Sequence, residues 1–247
     1  MSGLFLCLSG ALTVFAADGY TSRVLDRTGG GDVGFALVAP EVSGVVFTNE
    51  LRGDGYLTNA VAHNGSGVAI GDYDGDGFPD LYFCGLENAN RLYRNLGNWR
   101  FEEVQLGVAA CDGQYSTGAV WVDVEGDGDL DLLVNGISSG TRLFLNDGDG
   151  GVEEKADSGL SRTASSTSMA LADVDGDGDL DLYCTHYIDV MHLADPTTRF
   201  AVARDERGWR VSKVNGQSTE RPYWKDRFEL LAGGRVRELP EVDGFYR

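Results

Sequence analysis

Three stretches decide the reading of this chain: GDYDGDGFPDLYF from Gly71 to Phe83, VDVEGDGDLDLLV from Val122 to Val134, and ADVDGDGDLDLYC from Ala172 to Cys184. Their first aspartates stand at 72, 123 and 173, spacings of 51 and 50 residues. The likeness extends to both sides. SGVAI at 66–70, TGAVW at 117–121 and TSMAL at 167–171 precede the loops in register, and RLYRN at 91–95 matches RLFLN at 142–146. A period near 50 in a chain with no helical periodicity predicts an all-β fold, a β-propeller of four-stranded blades. About three blades are recognisable, which implies an incomplete propeller.

Within the first unit the pattern predicts strands at 68–70, 81–83, 91–95 and 99–103. Gly97-Asn98 and Asn146-Asp147-Gly148 are hairpin turn signals between the third and fourth strands. Small residues ahead of each loop suit a closely packed inner strand, and β-branched and aromatic residues fill the others.

The loops carry the chemistry. Asp72, Asp74, Asp76 and Asp80 occupy positions 1, 3, 5 and 9 of the first, with Gly75 and Gly77 allowing the turn that aims them inward. The second repeats this with Asp123, Glu125, Asp127 and Asp131, the third with Asp173, Asp175, Asp177 and Asp181. Position 7, occupied by Phe78, Asp129 and Asp179, is expected to add a backbone carbonyl. A set of oxygen donors this dense repels itself without a cation. It suits Ca²⁺, which accepts six to eight oxygens flexibly, better than the stricter octahedron of Mg²⁺. About three Ca²⁺ ions are expected. An EF-hand does not fit: position 12 is Phe83, Val134 and Cys184 instead of a bidentate Glu, and the flanks read as strands.

Composition agrees. Across 247 residues, 39 acidic against 20 basic side chains give a net charge of -19, which disfavours nucleic acid and anionic membrane surfaces as partners. The excess lies in residues 1–184, with 29 acidic and 9 basic side chains; 185–247 hold 10 and 11.

The apolar run from Leu4 to Phe15, followed by Ala16-Ala17, reads as a signal peptide over 1–17, although no Lys or Arg precedes it. With that segment removed no membrane span is expected, and the chain would be secreted, periplasmic or at the cell surface. Residues 18–60 form a lead-in strand region and 61–247 the partial propeller, with acidic loops at 72–80, 123–131 and 173–181 and a long insertion of about 185–240. Glu241 to Arg247 then resume a third strand, parallel to 90–94.

The DxDGDGxxDL loops, each followed by a short strand, resemble FG-GAP/VCBS repeats, the blades of integrin-α-like propellers. SGVVFTNELRGDGYLTNAVAHNGSGVAIGDYDGDGFPDLYF from Ser43 and GQYSTGAVWVDVEGDGDLDLL from Gly113 are similar to the cartilage acidic protein type with an ASPIC/UnbV-like domain. The resemblance implies an exported calcium-binding propeller that serves as a scaffold for adhesion or interaction with an extracellular protein or glycan, without catalytic residues. It carries the ligand roles onto the twelve carboxylates named above.

Other features have competing readings. Arg52-Gly53-Asp54 is an adhesion tripeptide or a chance product of a Gly-rich acidic segment, and Asn64-Gly65-Ser66 a glycosylation sequon or a structural turn. Cys84 and Cys111 would form a disulfide between neighbouring blades, or Cys84 and Cys184 are core thiols in similar repeat positions. His186, Asp189, His192 and Asp195 could make a metal or acid–base site in the insertion, the basis for an alternative as a propeller-based carbohydrate-active enzyme. Tyr187, Trp209, Tyr223 and Trp224 would serve a carbohydrate-binding module. No nucleophile elbow, HExxH or Walker loop occurs in the sequence.

Overall fold

The alternation of apolar and polar residues around the acidic loops builds antiparallel sheets. In the computed structural model, residues 13–15, 21–23, 35–51, 66–148, 150–187, 197–206, 208–221, 224–225 and 227–247 are described, the first two stretches by backbone alone. The chain divides into two units, Met1–Leu37 and Val38–Arg247. In the first, β1 (Thr13–Phe15) pairs with β2 (Thr21–Arg23) as a hairpin. The rest of the expected signal peptide lies outside the described residues, as do Arg52-Gly53-Asp54 and Asn64-Gly65.

The described residues of the second unit are all-β apart from one helical turn, α1 (Pro40–Ser43), and short 3-10 segments. Its first sheet runs β3 (Val68–Gly71), β4 (Asp80–Phe83), β5 (Arg91–Asn95) and β6 (Phe101–Val104) in sequence order. The fourth strand starts two residues later than its pattern predicts. Asn98 and Trp99 have φ of +52° and +62°, a left-handed turn that no strand accommodates. The second sheet repeats the order with β7 (Tyr115–Val122), β8 (Asp131–Ile137), β9 (Gly140–Asn146) and β10 (Val152–Glu154). These are four-stranded antiparallel sheets of propeller-blade type.

A third sheet starts the same way, with β11 (Ser165–Ala172) and β12 (Asp181–Tyr187). The chain then departs and returns. β13 (Phe200–Asp205), β14 (Gly208–Val214) and β15 (Gln217–Ser218) form one small sheet, β16 (Phe228–Leu230) and β17 (Val236–Glu238) another, and both pack on Val211, Val214 and Trp224. β18 (Gly244–Tyr246) comes back beside β12 with Leu182 opposite Tyr246, as Leu81 lies opposite Tyr93 and Leu132 opposite Phe144. The expected resumption of the third strand is therefore present.

Where β4 and β8 turn into their next strands stand Gly85 and Gly136. A Cβ on Gly85 would lie 2.0 Å from the Asn88 carbonyl oxygen, and one on Gly136 2.3 Å from Ser139 Oγ. The equivalent of this pair in the third sheet is His186, at the point where the tight hairpin gives way to the insertion. There its N–H donates to Asp243 Oδ1 at 2.8 Å, fastening the returning segment.

Neighbouring inner strands touch through small residues: a Cβ on Gly67 would fall 2.7 Å from the Gly118 Cα. Further out, Trp121 stacks on Tyr73 and meets Tyr82 edge-on, both with centroids 6.1 Å apart. The corresponding residues between the second and third sheets are Leu171, Val124 and Leu133, smaller side chains that leave a cavity of about 400 Å³. Cys84 and Cys111 share the first core as free thiols; burial pushes Cys84 up to about 12 and also raises Cys111, which bonds with Tyr82 and Asn90. The disulfide that the sequence allows is not formed. Cys184 is a buried thiol as well, but its register is that of Phe83 and Val134, one residue short of Cys84.

Candidate metal centres

Each acidic loop joins the first strand of a sheet to the second, and its backbone follows from its glycines. Positions 4 and 6 have positive φ in all three: 69° and 90° at Gly75 and Gly77, 72° and 98° at Gly126 and Gly128, 78° and 97° at Gly176 and Gly178. The turn this makes is held by the carboxylates. Position 1 accepts from the position-6 N–H: Gly77 to Asp72 at 2.8 Å, Gly128 to Asp123 at 3.0 Å, Gly178 to Asp173 at 3.1 Å. Position 5 accepts from position 7: Phe78 to Asp76 at 2.9 Å, Asp129 to Asp127 and Asp179 to Asp177 both at 3.1 Å.

Position 9 has a further role, which composition does not reveal. Asp80 is fully buried, accepting from the Tyr73 N–H at 3.0 Å on one oxygen and from the Asn95 N–H at 2.7 Å on the other. Asp131 does the same with Val124 and Asn146, each at 2.9 Å, and Asp181 accepts from Val174 at 2.9 Å. This carboxylate clamps the start of the loop, in the first two sheets to the end of the third strand as well. Burial pushes Asp80 up to about 6, with Asp74 and Asp76 adding to the rise, and burial raises Asp131. A cation at the loop would oppose these shifts.

The loops differ in how far their carboxylates converge. One oxygen each from Asp72, Asp74 and Asp80 lie within 4.8 Å of one another, and so do oxygens of Asp173, Asp175 and Asp177. Among the described residues Asp123, Glu125, Asp127 and Asp131 form no such triad. Glu125, one methylene longer than its counterparts, stands at position 3 there. Asp76 and Asp181, expected as ligands, lie outside the two triads.

An oxygen-only donor set fits a hard divalent ion. Asp72 Oδ1 supplies a separate sign of fit, being buried with no hydrogen-bond partner. An unpaired buried carboxylate oxygen is costly, and a cation would satisfy it.

Sequence reasoning placed Arg94 in a strand and missed its contact with the loop, 4.0 Å from Asp74. It likewise missed Arg247, whose Nη2 lies 3.2 Å from Asp175 and 3.1 Å from Asp177. No repeat pattern marks them: the residue after the aromatic of the third strand is Arg94 in the first repeat, Leu145 in the second and Arg247 in the third. In the insertion, Trp224 is buried and donates to Gln217, whereas Trp209 is 62% exposed. His186 is committed to the returning segment, its Nδ1 lying 2.6 Å from the Val242 carbonyl oxygen. Asp189, His192, Asp195 and Tyr223 lie outside the described residues.

No curated protein matches the chain. The FG-GAP-like repeat family does, over residues 72–134 and again over 123–184. Each match starts on the first aspartate of a loop and runs into or through the next. Residues 72–184 are thus made of FG-GAP-like repeats.

Proposed function

We propose that this chain is an exported calcium-binding propeller segment that serves as an interaction scaffold. In this reading it has no catalysis of its own, and Ca²⁺ locks the hairpin between the first two strands of each blade. The observation that carries it is the first loop, where three carboxylates converge and Asp72 Oδ1 is buried without a partner. The ion would be held by Asp72, Asp74 and Asp80 there and by Asp173, Asp175 and Asp177 in the third loop. The second loop closes on its ion as it binds, which makes three ions in all.

Each ion would supply two positive charges where four acidic side chains crowd in the first loop and five in each of the others. Because position 9 also grips the end of the third strand in the first two sheets, neutralising the loop there stabilises three strands at once. The partner is an extracellular protein or glycan, for which exposed Trp209 offers a stacking face. The finer likeness to the cartilage acidic protein type belongs to this proposal and rests on the sequences from Ser43 and Gly113.

Calorimetric Ca²⁺ titration of the metal-stripped chain tests the reading. About three sites are expected, reduced by one in the double variant Asp72→Asn/Asp74→Asn. A folded chain that takes up no Ca²⁺ would overturn it.

A further inference from the structure

The two loops whose carboxylates converge are the two that face an arginine. The pairings of Leu81 with Tyr93, Leu132 with Phe144 and Leu182 with Tyr246 place Arg94, Leu145 and Arg247 at one repeat position, the next along the third strand. In the second sheet, where the residue is Leu145, no triad forms among the described residues.

The two arginines do not sit alike. Arg94 is engaged by Glu102 across the β5–β6 pair and stays 4.0 Å from Asp74, leaving Asp72 Oδ1 buried and unpaired. Arg247 bridges two of the three carboxylates of its loop with a single nitrogen, Nη2, at 3.2 and 3.1 Å.

Resting on the calcium reading above, we propose that Arg247 is a resident counter-ion of the third loop that Ca²⁺ must displace, so that the first loop fills before the third. A guanidinium within hydrogen-bond reach of two ligands would stand against an incoming dication, and both cannot neutralise the same oxygens. Glu102 keeps Arg94 out of that competition. The same protein would then respond to Ca²⁺ in steps, the third sheet tightening only at the higher concentration.

The test isolates each loop in the full chain by equilibrium dialysis with Ca²⁺ alone. In the background Asp72→Asn/Asp123→Asn, which leaves the third loop, Arg247→Leu is expected to tighten binding roughly two- to fivefold, the scale of an exposed ion pair. In the background Asp123→Asn/Asp173→Asn, which leaves the first loop, Arg94→Leu is expected to change affinity by less than about twofold. Leu is the residue this chain itself carries at the position in its second sheet, and Arg247 is exposed, so folding is expected to survive; circular dichroism checks it. Unchanged or weaker binding in Arg247→Leu, with Ca²⁺ still bound by the unsubstituted chain, overturns this inference alone. Absence of Ca²⁺ binding in every chain, the unsubstituted one included, overturns the calcium reading and this inference together.

Discussion

The Asn146 side-chain amide donates to the Tyr73 carbonyl at 2.7 Å, tying the third strand of the second sheet to the acidic loop of the first. The same amide also donates to the Leu130 carbonyl at 3.1 Å, and the Asn146 backbone N–H is held by Asp131. One buried side chain thus connects two successive acidic loops. The amide of Asn95, its equivalent in the first sheet, donates within its own sheet, to the Pro79 carbonyl at 2.8 Å.

Asn146→Ala is therefore expected to destabilise the fold by about 1–3 kcal/mol, the cost of leaving buried carbonyls unpaired. Asn95→Ala, at a half-buried site with one such bond, is expected to cost less. Urea denaturation of both variants measures the difference, and equal losses would deny Asn146 its bridging role.

Trp121 fills the contact between the first two sheets, where it packs on Tyr73 and Tyr82. Trp121→Ala is expected to cost about 3–5 kcal/mol, in line with large-to-small changes in cores. Leu171→Ala, at the equivalent position beside the existing cavity, is expected to cost about 2 kcal/mol, because fewer packed atoms surround it. A reversed order in chemical denaturation would contradict the packing described for the two contacts.

Glu154 on β10 receives Arg142 through two hydrogen bonds, at 3.0 and 2.5 Å, and Arg162 at 2.5 Å. Hydrogen bonding to Arg142 is the main cause that holds its carboxyl down to about 2 against an ordinary 4.5. A carboxyl depressed on folding adds stability that is complete above the unfolded value and is lost as pH falls from about 4.5 toward 2. Acid titration of stability is expected to be shallower in that window for Glu154→Gln than for the unsubstituted chain. Parallel curves would show that the carboxyl is not depressed.

The three buried thiols predict selective chemistry. Burial keeps Cys84 protonated up to about 12, and it raises Cys111 and Cys184 too. Alkylation at pH 8 is expected to leave all three unmodified in the folded chain and to label them in urea, read by mass spectrometry. Rapid labelling of the native protein would contradict their burial.

Much of this was legible because each element of the repeat has its own local signal. Glycines at positions 4 and 6 fix the turn, and alternation fixes β3 to β5. The return of the third strand at Gly244 was legible from its likeness to Arg91-Leu92-Tyr93. The sheets of the insertion were not, and the reason lies in a bulge. β13 and β14 slip register between Ala201 and Val202, so Val211 and Val214 both turn inward although three residues apart, which spoils the period of two. Within the loops, residue type identified the carboxylates but not their division of labour. The sequence gives no sign that Asp80 and Asp131 spend both oxygens on backbone N–H groups, or that Arg94 and Arg247 face the loops, since one partner of each aspartate, and the loop that each arginine faces, lie 15 or more residues away.

The most direct test of the account is thermal unfolding of the metal-stripped chain in a chelator against the same chain in millimolar Ca²⁺. Ligand linkage predicts a higher melting temperature with Ca²⁺, one that keeps rising with its concentration and that Mg²⁺ at the same concentration does not reproduce. Identical melting in chelator and Ca²⁺ would contradict the claim that these loops are held by the ion.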